Sequence, residues 1–294
     1  MAETKLLSLL PLQTGYNGYV RLAELASRLE SFNNSRLILD LRAMTWCDAN
    51  LCSSLGALLH RAEHLGNTID VINVDSQVEK TLCRNSFLLG YGRTPCQDRY
   101  GNTIQYMRFE PGDNHQFTGY LNSQLEGKAI PEMSPELTRR FFESLSEIFE
   151  NASTHANSQM GVFACGQFFV KRNTLNFTVT DLGMGFRENI RRNIHLDLDT
   201  PRAIDWAMRD RNTTKQGDVP GGLGLKILRE FIRLNGGKLQ IVSTDGYWEQ
   251  LSKGKVVKRQ LPFPFPGSIV NIEINSADQK SYILSTKYDL SSLF

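Results

Sequence analysis

From residue 37 to residue 90 the apolar positions switch repeatedly between the period of a strand and that of a helix, and this alternation restricts the fold more than any other feature of the chain. Leu37-Ile38-Leu39 is a short apolar run ending at Asp40-Leu41. From Asp48 onward, Leu51, Leu55, Leu58, Leu59, Ala62 and Leu65 recur at helical spacing until Gly66 supplies a stop. Ile69 to Val74 reads as a second strand, and Ser76-Gln77-Val78-Glu79 has the spacing of a capping box that opens a helix through Phe87. A helix between two strands carries the chain back to its starting edge, so β-α-β-α order predicts parallel pairing.

Residues 91 to 133 lose that periodicity and are punctuated by Gly92, Pro95, Gly101, Pro111, Gly112, Gly119, Gly127 and Pro131. The chain of 294 residues is long enough for two domains, and the pattern divides it into a domain over 1–95, a connecting segment over 96–133 and a domain over 134–294. Ser134-Pro135 opens a helix, with serine as cap and proline at the first helical position. Phe141, Phe142, Leu145, Ile148, Phe149 and Ala152 form its apolar stripe. Strands follow at 161–170 and 175–180, then helices at 201–209 and 225–234 around a polar loop, then strands at 238–243 and 269–274. The insert from Gly246 to Gly267, with Pro262, Pro264 and Pro266, reads as a rigid connector between the last two strands, with a docking surface as the other reading. The fold class is α/β: a βαβα domain followed by an α/β sandwich, its mixed sheet carrying helices on one face.

Net charge separates few function classes here. Lys plus Arg number 33 against 31 acids, and the basic clusters are short, Arg191-Arg192 and Lys253 to Arg259, so nucleic acid is not the indicated partner. The cysteines Cys47, Cys52, Cys83, Cys96 and Cys165 are scattered without CxxC spacing, which predicts buried free thiols rather than a zinc site. No stretch approaches the ~20 apolar residues of a membrane helix, and the N-terminus lacks a cleavage pattern. A reduced, cytoplasmic protein is expected.

Three weak motifs carry chemistry. Glu147 and Asn151 stand four apart on the helix opening at Pro135 and share a face. An amide oxygen there can ligate a hard cation, and a carboxylate one turn away can take a proton from water. Asp181-Leu182-Gly183-Met184-Gly185 follows a strand directly, with an acid to accept a bond from a ligand amine and two glycines that admit close approach. It is not a dinucleotide fingerprint, because Glu188 stands where the third glycine is needed. Gly221-Gly222-Leu223-Gly224-Leu225 leads into a helix whose free N–H groups favour phosphate, and Thr213, Thr214 and Lys215 upstream supply hydroxyls and a cation for a terminal phosphate.

In this order the three motifs resemble the ATP-binding fold shared by DNA gyrase, the heat-shock chaperones, sensor histidine kinases and the MutL repair proteins, the GHKL or HATPase superfamily with its Bergerat fold. The resemblance covers residues 134 to 275. It implies ATP and Mg2+ as cofactors, with Asn151 on the metal, Asp181 on the adenine amine, Gly183 and Gly185 shaping the adenine wall, Gly222 and Gly224 on phosphate, and Glu147 at the general-base position. The run from Thr213 to Leu225 is similar to the lid-plus-glycine segment of sensor kinases, which adds Thr214, Lys215, Leu223 and Leu225 to the expected nucleotide contacts.

Residues 35 to 90 are similar to STAS domains, the anti-sigma-factor antagonists and their relatives, through Leu39-Asp40-Leu41, Thr45-Trp46-Cys47-Asp48 and the helix that follows. Where phosphorylated members carry a serine two residues after the aspartate, this chain has Asn50, which accepts no phosphoryl group. Of the histidines, His155 is one turn beyond Asn151 toward the same face, His60 and His64 fall on a solvated helix face, and no helical hairpin presents a phosphoaccepting histidine. The resemblances imply an ATP-dependent switch that reports nucleotide state to a protein partner through the STAS-like domain. They leave open a serine kinase acting in trans and a module that binds nucleotide without turnover. A homodimer is compatible with all three.

Overall fold

In a computed structural model, which describes residues 3–128, 130–155, 159–209, 212 and 223–283, the N-terminal alternation folds as a parallel sheet. Its strands are β1 (Thr4–Ser8), β2 (Arg36–Asp40) and β3 (Thr68–Ile72), in that order across the sheet. The crossovers are α1 (Tyr16–Leu29) and α2 (Cys52–His64), and α3 (Ser76–Arg84) follows β3. β1 and α1 lie upstream of the alternation from which the parallel pairing was inferred. The α1 stripe Tyr19, Leu22, Ala23, Ala26 and Leu29 has helical spacing and is buried. Asp75, not Ser76, caps α3: its carboxylate accepts the N–H groups of Gln77 (2.9 Å) and Val78 (3.3 Å). A carboxylate there satisfies two orphan donors and complements the helix dipole. The helix stops at Arg84, and Phe87–Tyr91 forms a separate 3-10 turn.

Residues 96–133, read above as a connecting segment, hold β4 (Thr103–Phe109) and α4 (Asn114–Leu125). β4 is the edge of a five-stranded sheet and pairs with β5 (Val162–Phe169). The remaining strands are β6 (Thr174–Asp181), β7 (Lys238–Gln250) and β8 (Val256–Asn275), and the order is β4-β5-β6-β8-β7. Every ladder of this sheet among the described residues is antiparallel, which the hairpin pairs β5–β6 and β7–β8 require. The mixture of pairings expected within one sheet is instead divided between two. The 246–267 segment is a continuation of β7 and β8 rather than a connector. Its prolines are accommodated because β6 pairs with β8 only over residues 268–275, leaving one side of the proline stretch without a ladder.

The helices α5 (Pro135–Glu150), α7 (Thr200–Ala207) and α8 (Leu223–Asn235) pack with α4 on one face of the antiparallel sheet, and α6 (Phe186–Ile194) adjoins α7. Phe109, Phe117, Phe149, Leu175, Phe177, Ile232 and Ile272 form the heart of that core. On the opposite face lie α1 and α2, so the N-terminal unit roofs the second face of the sheet. Among the described residues no helix is long and apolar enough to cross a membrane.

The contact between the two units is polar at its centre. Asn50, wholly buried, donates its amide to Thr178 Oγ1 (3.0 Å) and Asn271 Oδ1 (3.1 Å) and accepts from the Thr14 hydroxyl (3.1 Å). Asn271 in turn donates to Asn176 (3.1 Å) and Gln240 (3.0 Å), and the Tyr19 hydroxyl reaches Gln240 (3.2 Å). Ser54 and Thr180 share a bond of 2.9 Å, Thr180 reaches Ser53 at 3.2 Å, and Ala49 donates its N–H to Gln167 at 2.8 Å. Buried amides and hydroxyls are tolerated only when paired, and here each satisfies another.

Asn50→Ala should therefore destabilise the chain by ~1–3 kcal/mol, because Thr178 and Asn271 lose a partner without regaining water. Asn50→Asp should cost more, since it buries a charge in the seam. Urea denaturation measures both, and an Asn50→Asp protein as stable as the parent at neutral pH would contradict this account of the seam.

Candidate functional site

Glu147 and Asn151, Asp181 with Met184, and Leu225, remote from one another in sequence, meet at one cleft, bounded by α5, the end of β6, α6, α7 and the floor formed by β7 and β8, with about 1070 Å³ of space that includes open solvent. α5 starts where Ser134 accepts the Leu137 N–H (3.3 Å), and it buries Phe141, Leu145, Ile148 and Phe149. With that stripe fixed in the core, the adjoining face turns Glu147 and Asn151 into the cleft. Both are half-buried. At Asn151 the helix gives way to a π-turn (Asn151–His155) whose first N–H is shared between the Glu147 and Ile148 carbonyls. Such turns alter the helical register locally and often occur at functional sites.

Asp181 ends β6 and is 5% exposed. Its carboxylate accepts the Gly183 N–H at 2.8 Å and a second backbone bond from Ser268. Burial pushes its pKa from 3.8 up to about 7, against the pull of those two donors. Two glycines make room for this arrangement. A Cβ on Gly267, whose φ is +144°, would stand 2.1 Å from the Asp181 carbonyl oxygen, and one on Gly185 would stand 2.6 Å from Ser243 Oγ. Ser243 Oγ accepts the Phe186 N–H at 3.0 Å, which fixes the start of α6.

The floor is apolar, built from Val179, Leu239, Ile241 and Val270, with Met184 at the glycine turn. Leu225 lines the cleft, while Leu223 and Gly224 belong to the first turn of α8. Thr214, Lys215 and Gly222 lie outside the described residues, as do Thr213 and Gly221 and the side chain of His155. The cleft also takes in Asn189, Trp206, Met208, Asn212 and Ser268, which the motifs did not indicate. Trp206 and Met208 have a legible signal only as members of the α7 pattern, and Ser268 has none. Asn212 donates to the Trp206 carbonyl at 2.7 Å, and Arg229 bonds the Met208 carbonyl and Gln250 (3.2 Å), so the α7 wall is pinned from both sides. Asp205 reinforces it by accepting from Trp248 (3.0 Å) and Lys258 (3.1 Å) of the extended β7–β8 hairpin.

His60 and His64 are remote from the cleft. His60 is half-buried, 5.7 Å from the Phe163 ring, and not on a fully solvated face as expected; His64 is exposed. His195 ends α6 in a left-handed, exposed position.

Because Asp181 holds its proton more tightly in the folded than in the unfolded chain, the folded state binds more protons between pH 4 and 7. Stability associated with this group is fully present below its unfolded value of 3.8, declines as pH rises through about 7, and is constant above. The slope is at most ~1.4 kcal/mol per pH unit. Asp181→Asn should remove it, so the stability difference between variant and parent should grow from pH 4 to pH 7 and then level off in chemical denaturation. A difference independent of pH across that window would contradict the raised value.

A search of curated proteins finds no match to the chain. Residues 136–264, which span α5 through the hairpin of β7 and β8 and contain the whole Glu147–Asn151–Asp181 constellation, match the profile of the Histidine kinase-, DNA gyrase B-, and HSP90-like ATPase family. Most of the residues that line the cleft, Glu147, Asn151 and Asp181 among them, fall within this matched stretch, which is similar to that family.

Proposed function

We propose that the protein binds ATP with a magnesium ion in this cleft, hydrolyses it slowly, and uses the change of nucleotide state to govern a protein–protein interaction. The observation that carries the reading is the convergence of Glu147, Asn151 and Asp181 on one apolar-floored cleft within the matched domain. The donor chemistry fits. Asp181 is a buried acceptor that lines the cleft, suited to an exocyclic amine, and the apolar floor suits a purine ring. Asn151 offers a neutral oxygen to a hard cation that keeps most of its waters. Magnesium, when bound, would offset phosphate charge and polarise the terminal phosphoryl group. Glu147, one turn before Asn151, is in the position to take the proton of an attacking water, yielding ADP and phosphate. In the same reading Thr214, Lys215, Gly222, Leu223 and Gly224 hold the phosphates, with Leu225 beside them.

Burial of the seam favours hydrolysis or transfer to another protein over transfer within the chain. Asn50 has no hydroxyl, and Ser53 and Ser54 are fully buried with their hydroxyls bonded to Asn50 and Thr180. The N-terminal unit, read as STAS-like, then acts as the reporter of nucleotide state by remaining attached to the back of the ATP-binding sheet. Its partner is a protein, with a second copy of the chain among the compatible choices.

Titration calorimetry with ATP and excess Mg2+ should show binding for the parent and for Glu147→Ala and none for Asp181→Ala. With γ-labelled ATP, the parent should release free phosphate and Glu147→Ala should not. Label appearing on a partner protein would support the kinase alternative, and absence of any heat from the folded parent would end the reading.

A further inference from the structure

We propose that Thr180, held from behind by Ser53 and Ser54 of α2, is a positioning residue for Asp181, so that the N-terminal unit helps set the selectivity of the cleft for the exocyclic amine of the base. This rests on the reading that Asp181 receives that amine.

Along β6 the side chains alternate, and the two sides of the strand belong to different units. Leu175, Phe177 and Val179 enter the core under the cleft, and Asp181 enters the cleft itself. Asn176, Thr178 and Thr180 point the other way into the seam. Thr180 and Asp181 are adjacent, so the hydroxyl contact on one face and the carboxylate on the other share one peptide unit. On the lateral sides, β6 is held by Phe163 and Val162 of β5 and by Ile269 and Ser268 of β8. Gly267 approaches the Asp181 carbonyl so closely that no side chain fits between them. The strand end is therefore constrained within the sheet on both edges, and its height above the sheet is fixed by what packs on its faces. On the seam side, that packing is the pair of hydroxyls on α2, at 2.9 Å from Ser54 and 3.2 Å from Ser53. Both serines and Thr180 are wholly buried, so a lost bond is not replaced by water. The remaining seam bonds from Asn50 end on Thr178 and Asn271, one pleat further back. Thr180 is consequently the contact through which a shift of α2 reaches the carboxylate most directly.

A residue acting this way should alter discrimination rather than affinity in general. The test compares binding of ATP with that of the purine nucleoside triphosphate lacking the exocyclic amine, by calorimetry with Mg2+, on the full chain. The parent should prefer ATP by about tenfold or more, the value of one well-placed buried hydrogen bond. Thr180→Val, of equal shape without the hydroxyl, should reduce that preference to less than about threefold while the amine-free ligand still binds near its parental affinity. Thr180→Ser keeps the hydroxyl and should retain the preference. If Thr180→Val does not fold, Ser54→Ala provides the same comparison from the α2 side and should also lose preference. Folded Thr180→Val, or folded Ser54→Ala in its place, with the parental preference would overturn the proposal and leave the ATP-binding reading intact. Equal loss of both ligands would also overturn it, as the mark of a merely structural role. A parent that binds ATP without favouring the amine would instead overturn the assignment of Asp181, and the proposal with it.

Discussion

The polar seam between α2 and the back of the antiparallel sheet is the constraint on which the arrangement depends. A sheet with Asn176, Thr178, Thr180, Gln240 and Asn271 on one face would ordinarily turn that face to water. Here it is covered, and the cost of removing those groups from solvent is offset by Asn50, Ser53, Ser54 and Tyr19, which supply partners at hydrogen-bond distance. Such a surface tolerates one docking geometry well, because a small slip leaves several buried groups unpaired at once. Apolar contacts at the margins, among them Tyr247, Leu261, Phe265 and Ile269 against the N-terminal unit, add area but little directional preference. The two units therefore meet across one face of the antiparallel sheet, and β6 is buried on both of its faces.

That sharing explains how an ionisable group comes to be buried at the cleft. Asp181 is held at the end of a strand with no solvated face, and burial raises its pKa to about 7. In stability terms the group is a liability at neutral pH. Two backbone donors and a pair of glycine-permitted close approaches keep it aimed into the cleft. A buried acid with perturbed proton affinity beside an apolar floor is the environment in which a hydrogen bond to a ligand counts for more than it would in water. The extended hairpin of β7 and β8 serves the same cleft from another direction. Trp248, Lys258 and Gln250 fasten α7 and Arg229, and through them the wall carrying Trp206 and Met208.

Much of this was legible before any coordinates. The alternation over residues 37–90 pointed to the parallel N-terminal strands, because a single helix between two strands carries the chain back to its starting edge. Ser134-Pro135 and the stripe from Phe141 to Phe149 determined α5 and, through helical geometry, the common face of Glu147 and Asn151. Asp181 with its following glycines was legible as a strand end running into a glycine turn, and only its order with the other two motifs, not the motif alone, pointed to a ligand. These are local properties, set by periods of about two and 3.6 residues and by the conformational limits of single residue types.

Tertiary structure alone decided the rest. Nothing local distinguishes a strand such as Leu175–Asp181, alternating apolar and polar, whose polar face meets water from one whose polar face meets another domain. The partner that decides, Asn50, is more than a hundred residues away. Residues 96–133 looked like a connection because Gly and Pro interrupt them, yet β4 and α4 form there by pairing with β5 and packing on α5. The prolines of 262–266 suggested a connector, but an edge left without a ladder accommodates them within a strand. Composition and period specify what a segment can become, whereas pairing and burial are properties of two segments at once, and only the folded chain fixes which two.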